Sequence, residues 1–455
     1  MLISPDHRIS LADRSPVPVT PELEAVFIGA AAATVDADAA ADAIAAAVQL
    51  GFPVEAADTT LTSLPLCFTS AASFAASFPD DTSWLALAVR DYFDAGGLRA
   101  WVVRVVPDPA APTDAYFRRA GFSLAAQTPS GIDVAMQVPS AGLLLLPDLE
   151  GLCVATAVAA APALPSAPSP IPGFRPISEF SVATAAPAPA SPAAAVAVTP
   201  NQVLTRANAA LAGTRPDMLC LFALPVGADE SLSTATLLQR ASSYLYGTAT
   251  GPDLPQVQSF APLARGADGA LVSPSGLVAG TLAASAQTDG VWRSIAGKAL
   301  PLGYTPLRRI ESAALDRMRR AGISSLRYDS GSLVLDDDIL AVKAAPGSAA
   351  RGSAGTRRLM GWLLRNLRRF GEQLVFENVL DGGLVEMVLL DLFTTLQQRG
   401  ALNGRQVADA VRITPGRTGD TGIQFDIAID TAYALETIQL RFQDGGLSTS
   451  LGAAA

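Results

Sequence analysis

The chain has 455 residues, half of them apolar, and its 42 acidic against 32 basic side chains leave a net charge of −10. That length and apolar content suffice for two or three domains with buried cores, while the acidic balance argues against nucleic acid as a partner. Only Lys298 and Lys343 are lysines, the other basic residues being arginines suited to carboxylate recognition.

Taken in order, residues 1–20 (MLISPDHRISLADRS and on) carry no apolar core flanked by positive charge, so an extended arm is expected there and no signal peptide. ELEAVFIGA reads as a strand and VDADAAADAIAAAVQLG as a helix. Asp81, Thr82 and Ser83 are N-cap candidates for the helix WLALAVRDYF, which Gly96 and Gly97 are placed to end, and RAWVVRVV is a β-branched strand. GLLLLPD and MLCLFALP are short apolar runs closed by proline, suited to strands covered on both faces in a parallel sheet. The longest apolar stretch is cut by Pro147, Asp148 and Glu150, so no membrane insertion is expected. Residues 155–200 are dominated by Ala, Pro and Ser and read as a surface excursion, as does PGSAARGSAG at 346–355. TRRLMGWLLRNLRRF is an amphipathic helix with Leu359, Trp362, Leu363, Leu367 and Phe370 on one side. EQLVFENV reads as a strand, LVEMVLLDLFTTLQQRGAL as a helix ended by Gly400, and IQFDIAID and ETIQLRFQ as half-buried strands before a polar tail. The fold class is α/β or α+β.

Chemistry is scarce. His7 is the only histidine and lies in the N-terminal arm, which removes Ser–His and Cys–His nucleophile pairs and histidine-rich metal sites. Cys67, Cys153 and Cys220 sit far apart in apolar runs and read as buried, inert thiols. Asp336, Asp337 and Asp338 lack the spacing of a calcium loop and read as a solvated turn. The Gly297-Lys298 pair in LVSPSGLVAGTLAASAQTDGVWRSIAGKAL suggests a phosphate loop. Yet six residues rather than four separate it from Gly290, and Ala299 stands where a hydroxyl must hold magnesium. No catalytic residue, cofactor or metal is expected.

That same segment resembles the tail-sheath proteins of contractile phages and related injection systems. The matching residues are Pro274, Ser275, Gly276, Ala279 and Gly280, then Asp289, Gly290, Val291, Trp292 and Ala296. Other stretches agree in the same order: 61–106, AGISSLRYDSGSLVL (321–335), RRLMGWLLRNLRRFGEQLVFEN (357–378) and GALNG (400–404). The family's W-G-A-R-T segment is replaced by LVLDDDIL and its N-terminal P-G-V-Y arm is only faintly echoed by SPDHRISL, which leaves room for a divergent member.

The resemblance implies an inner sheath domain formed by both chain ends (21–107 and 306–436), an inserted outer domain (108–305) and extended terminal arms (1–20 and 437–455). It implies a structural subunit, not an enzyme, that stacks in six-fold rings around an inner tube and contracts to drive it into a target. Copies of the chain or sheath paralogues, the inner tube protein and the baseplate are the implied partners. Synthesis in the bacterial cytoplasm and assembly into a phage tail or tail-like particle follow. Ile438, Leu440 and Phe442, with Ile9 and Leu11, are the expected inter-subunit strand donors. Arg365, Arg368 and Arg369 are candidates for contact with the inner tube. Trp292 is expected to be buried, and the glycines around it to serve turns and close packing. A baseplate-proximal paralogue is the first alternative; a cytoplasmic α/β enzyme or nucleotide-binding protein is the rival from another class.

Overall fold

A computed structural model describes residues 23–31, 35–52, 61–62, 64–79, 81–117, 131–159, 197–226, 234–248, 251–266, 269–343, 352–374, 382–418, 422–432, 441–443 and 446–448. In chain order its main elements begin β1 (Glu24–Gly29), α1 (Ala41–Gln49), β2 (Pro65–Phe68), α2 (Ala71–Ser77), α3 (Trp84–Asp94) and β3 (Ala100–Arg104). Next come α4 (Asp114–Phe117), α5 (Ile132–Met136), β4 (Ala141–Leu145), α6 (Pro147–Ala159), α7 (Pro200–Thr214), β5 (Leu219–Ala223), α8 (Thr234–Tyr246) and β6 (Val257–Ala261). The short strands β7 (Ala264–Arg265) and β8 (Leu271–Val272) precede α9 (Ser275–Thr288), β9 (Ala299–Leu300) and β10 (Thr305–Pro306). The remainder is α10 (Ser312–Arg320), β11 (Ile323–Asp329), β12 (Ser332–Leu335), α11 (Ala354–Leu374), α12 (Gly382–Gln398), α13 (Val407–Ala410), β13 (Val411–Thr418), β14 (Gly422–Ile429), β15 (Arg441–Gln443) and β16 (Gly446–Ser448).

Nine strands form one sheet in the order β2-β3-β1-β4-β5-β6-β11-β12-β9. From β3 to β11 neighbouring strands run parallel, while β2 at one edge and β12 and β9 at the other end of the sheet are antiparallel to their neighbours. The apolar runs read as doubly covered strands are β4 and β5, and every residue of each is buried, as expected for strands sandwiched between helix layers. Ser83 caps α3, its hydroxyl accepting from the Ala86 N–H, and Gly400 closes α12 at φ +76°.

Four expectations are corrected. First, the sheet takes strands from all three segments assigned to an inner and an outer domain, so it runs across the boundaries at 107/108 and 305/306. Strand order is set by contacts between distant segments, and composition alone could not show this. Second, 155–159 belong to α6, which starts immediately after β4; residues 160–196 lie outside the described residues. Third, the strand expected from Glu372 begins as helix, because α11 runs on through Leu374, and 375–381 lie outside the described residues. Fourth, Gly276 and Gly280 lie within a helix, 275–288, where the glycines of this segment were expected to serve turns as well as close packing. No described helix is long and apolar enough to cross a membrane.

Candidate functional site

The segment that carries the sequence resemblance is the central strut of the molecule. In α9, Leu277, Val278, Ala279, Leu282, Ala283 and Ala286 are all buried, around most of the helix circumference, which marks a helix enclosed by protein. Its two glycines are four residues apart and face α3. A Cβ on Gly276 would collide with the Ala88 carbonyl oxygen, and one on Gly280 with that of Tyr92. Glycine is therefore required because two helix backbones touch, not because of an unusual φ. Beyond α9 the chain turns at Gly290 (φ +105°) and Gly297 (φ +76°). Between them Trp292 is half-buried against the core rather than fully enclosed, its ring lying where a Gly290 Cβ would stand. Asp289 is exposed and pairs with Lys298 at 2.7 Å. So the lysine of the apparent phosphate motif is bound to an acid of the same loop.

The strand order also places the switch point of the winding between β1 and β4, since β3 and β4 flank β1 on opposite sides. In doubly wound α/β enzymes a ligand sits outside the carboxyl ends of the strands at such a point. Here that position is filled by Asp148. Its Oδ2 accepts from the Ala30 N–H at 2.6 Å and its Oδ1 from the Leu85 N–H at 3.0 Å, so this carboxylate takes the anion position at the N-terminus of α3. A Cβ on Gly29 would lie 2.6 Å from Asp148 Oδ2. The protein supplies its own anion, which counts against the nucleotide-binding rival.

Glu150, two residues further along α6, is fully buried. Its Oε1 accepts from the Ala223 N–H at 2.7 Å and its Oε2 from the Ser275 hydroxyl at 2.9 Å, tying the end of β5 to the start of α9. Burial pushes its carboxyl up to about 8, against hydrogen bonds from Ser273, Ala223 and Ser275. Burial likewise raises Asp148 to about 6, opposed by the two backbone N–H groups it accepts from. A carboxyl whose folded pKa is raised holds its proton longer in the folded state, so stability falls as pH rises from the unfolded value through the folded one. Glu150→Gln, whose amide nitrogen replaces the protonated oxygen, is expected to fold. Between pH 5 and 8 wild type should lose on the order of 3 kcal/mol relative to this variant, read from urea unfolding at each pH. Equal slopes for the two proteins would refute the assignment. Both acids were read from sequence only as interruptions of an apolar run; the available signal was PDLE directly after a buried strand.

The arginines of α11 divide by face. Arg358 is buried and donates to both oxygens of Asp338 at 2.9 and 2.6 Å, and also to the Val291 and Arg293 carbonyls. Arg357 donates to the Pro216 carbonyl at 3.0 Å. Arg365, expected at a tube contact, is buried instead, so that expectation is corrected. It lies over Gly142 and donates to the Asp217 carbonyl at 2.6 Å, and burial pushes it down to about 10. Asp217 is held in turn by Arg215 through two bonds of 2.9 and 2.8 Å. These three arginines clamp α11 to neighbouring loops and to the amino ends of β4 and β5. Arg368 and Arg369 remain exposed. Helical periodicity separated the two sets only in part, because Leu364 is exposed while Arg365 is buried. Asp338 is buried and Asp336 pairs with Arg327 at 2.8 Å, which corrects the reading of the acidic triplet as a solvated turn. Cys153 and Cys220 are buried and Cys67 is half-buried, all three as free thiols; burial pushes Cys67 up to about 11.

The C-terminal strands form two separate antiparallel pairs, β13–β14 and β15–β16. In the first, Ile413, Phe425, Ile427 and Ile429 pack against the core and alternate with exposed Arg412, Thr414, Asp426 and Ala428. Among the described residues neither outer edge of this ribbon pairs with a further strand. Phe442 lies in β15 opposite Leu447; Ile9, Leu11, Ile438 and Leu440 lie outside the described residues.

The fold these elements define is that of contractile-sheath subunits. Over nearly its whole length the chain is similar to three solved structures. With the contracted baseplate of the anti-feeding prophage it shares 17% identity, covering 97% of this chain and 99% of that one at a TM-score of 0.60. With the contracted sheath of an extracellular contractile injection system, PVC, the figures are 14%, 92%, 91% and 0.59. With the contracted helical sheath of the anti-feeding prophage they are 16%, 97%, 99% and 0.57. No protein-family model matches the chain, and no curated protein matches it.

Proposed function

We propose that this chain is a structural subunit of a contractile sheath, not an enzyme, and that it polymerises with copies of itself or with sheath paralogues in a helical lattice. The observation that carries the reading is the fold match, which spans 97% of this chain and 99% of a baseplate chain and of a helical-sheath chain, so that neither partner has a domain's worth of chain left over. Fold by itself does not specify function; the β13–β14 ribbon and the filled switch point support the same reading. A ribbon with one face on the core and, among the described residues, both edges open is built to accept added strands. The arms at 1–20 and 437–455, with Ile9, Leu11, Ile438, Leu440 and Phe442, are the donors we assign. A repeated head-to-tail addition of this kind generates rings and helices rather than closed dimers. Arg368 and Arg369, the exposed pair on α11, are assigned to an inner tube, and the particle is a phage tail or a tail-like injector made in the bacterial cytoplasm. A baseplate-proximal paralogue is the second reading, favoured by the match to a baseplate chain.

Removal of residues 437–455 tests the strand donation. The truncated chain should keep its unfolding midpoint and yet fail to form stacked rings, and rings formed as in wild type would refute it. In particles reconstituted with the tube protein, Arg368→Glu with Arg369→Glu should leave rings intact and lower tube retention. Unchanged retention removes the tube assignment.

A further inference from the structure

Charge is distributed unevenly along the sheet. Residues 31–98 contain nine acidic side chains and one basic one, Arg90. They build α1, α2, α3 and β2, at one edge of the nine-stranded sheet. Residues 308–320 contain five arginines against Glu311 and Asp316. They build α10 and the loop before it, packed beside β11 near the opposite edge. Six strand spacings separate β2 from β11, roughly 29 Å at about 4.8 Å per spacing.

Both patches are open. Asp36, Asp38 and Asp42 are exposed around the start of α1, and Arg309, Arg317 and Arg320 are exposed on and before α10. Among the described residues none of these six is in an ion pair. Several other surface charges are paired at home: Asp289 with Lys298, Asp114 with Arg206, and Arg327 with Asp329 and Asp336. Arg309, Arg317 and Arg320, exposed and outside any ion pair in a chain of net charge −10, call for an acidic partner, and the chain carries a matching acidic patch at the far edge of its own sheet.

We infer that the Arg309/Arg317/Arg320 patch of one copy docks on the Asp36/Asp38/Asp42 patch of the next, a head-to-tail contact between copies of this chain. Opposite charges at opposite edges cannot meet within one molecule, and complementary patches steer association and fix its register. The contact is heterologous, so it propagates rather than closing into a dimer. Because both patches are exposed, it weakens with salt. This inference deepens the sheath reading and rests on it for the form of the assembly, though not for the existence of the contact.

Charge-swapped variants test it. The first carries Arg309→Glu, Arg317→Glu and Arg320→Glu; the second carries Asp36→Lys, Asp38→Lys and Asp42→Lys. Thermal unfolding establishes that each is folded, and sedimentation velocity measures self-association in low and high salt. Each variant alone should need at least ~10-fold more protein than wild type to associate, because like charges then face each other. An equimolar mixture should associate again, since each patch then finds its opposite on the other variant. Recovery in the mixture supports the inference, and its form under negative stain tests the sheath reading separately: rings or tubes support that reading, open irregular chains sink it and leave the contact standing. Variants that associate like wild type, a mixture that does not recover, loss from the arginine variant only, or a wild type that stays monomeric at low salt would each overturn the inference.

Discussion

Gly276→Ala and Gly280→Ala should each lower stability by about 3 kcal/mol, at the upper end of overpacking costs. The sign is informative, because in an open helix the same change gains up to ~1 kcal/mol from helix propensity. At these two positions the added methyl meets a carbonyl oxygen of the α3 backbone, Ala88 or Tyr92, rather than the end of a side chain that could swing away. Relief requires α3 and α9 to separate, and α9 then pulls on β5 through Ser275 and Glu150. Gly213, near the end of α7 with nothing within 4 Å of an added Cβ, is the control. Gly213→Ala should be neutral or stabilising. Urea denaturation of the three variants reads all of these, and three equal effects would contradict the close crossing.

Asp338→Ala should be more damaging than any surface charge change, at ~3–5 kcal/mol, because it leaves the Arg358 guanidinium buried without its counter-charge. Both side chains are almost fully enclosed, at 4% and 1% exposure. Burial alone would raise the Asp338 carboxyl, but the charge and hydrogen bonds of Arg358, with the bond from Gln258, outweigh it and hold the group below the ordinary range. A depressed carboxyl stabilises the fold above its unfolded pKa, and that contribution is lost as pH falls through the folded value. Wild type should therefore lose stability on acidification below about pH 4 more steeply than the alanine variant. The double variant Asp338→Leu with Arg358→Met should recover much of the loss, since the cost comes from the stranded charge rather than from the missing pair. A double variant as unstable as Asp338→Ala would refute this account, and so would a small effect of Asp338→Ala alone.

Local patterns in the sequence were legible where one interaction dominates. Ser83 as a cap, Gly400 as a stop, and β4 and β5 as doubly buried strands all follow from groups within a few residues of one another. Alternation along 423–429 marked a half-buried strand and is met in β14. Long-range pairing was not legible. Asp338 and Arg358 are 20 residues apart, and Arg365 meets Asp217 across 148 residues, so nothing local marked either as an inward-facing charge. The same limit explains the domain expectation: composition located the Pro/Ala excursion, but strand order is set by contacts between distant segments. For the site, the sequence identified the residues of 274–292 and the glycines' packing role. It did not show that those glycines lie on a helix, nor that Asp148 and Glu150 hold the carboxyl ends of β1 and β5.

The central claim is that this chain is a sheath subunit, and negative-stain microscopy of the intact protein, purified alone and co-expressed with a tube protein, tests it most directly. The account predicts six-fold rings or striated tubes of stacked rings in both preparations. A protein that stays monomeric in both, or that binds nucleotide as a stable monomer, would contradict it.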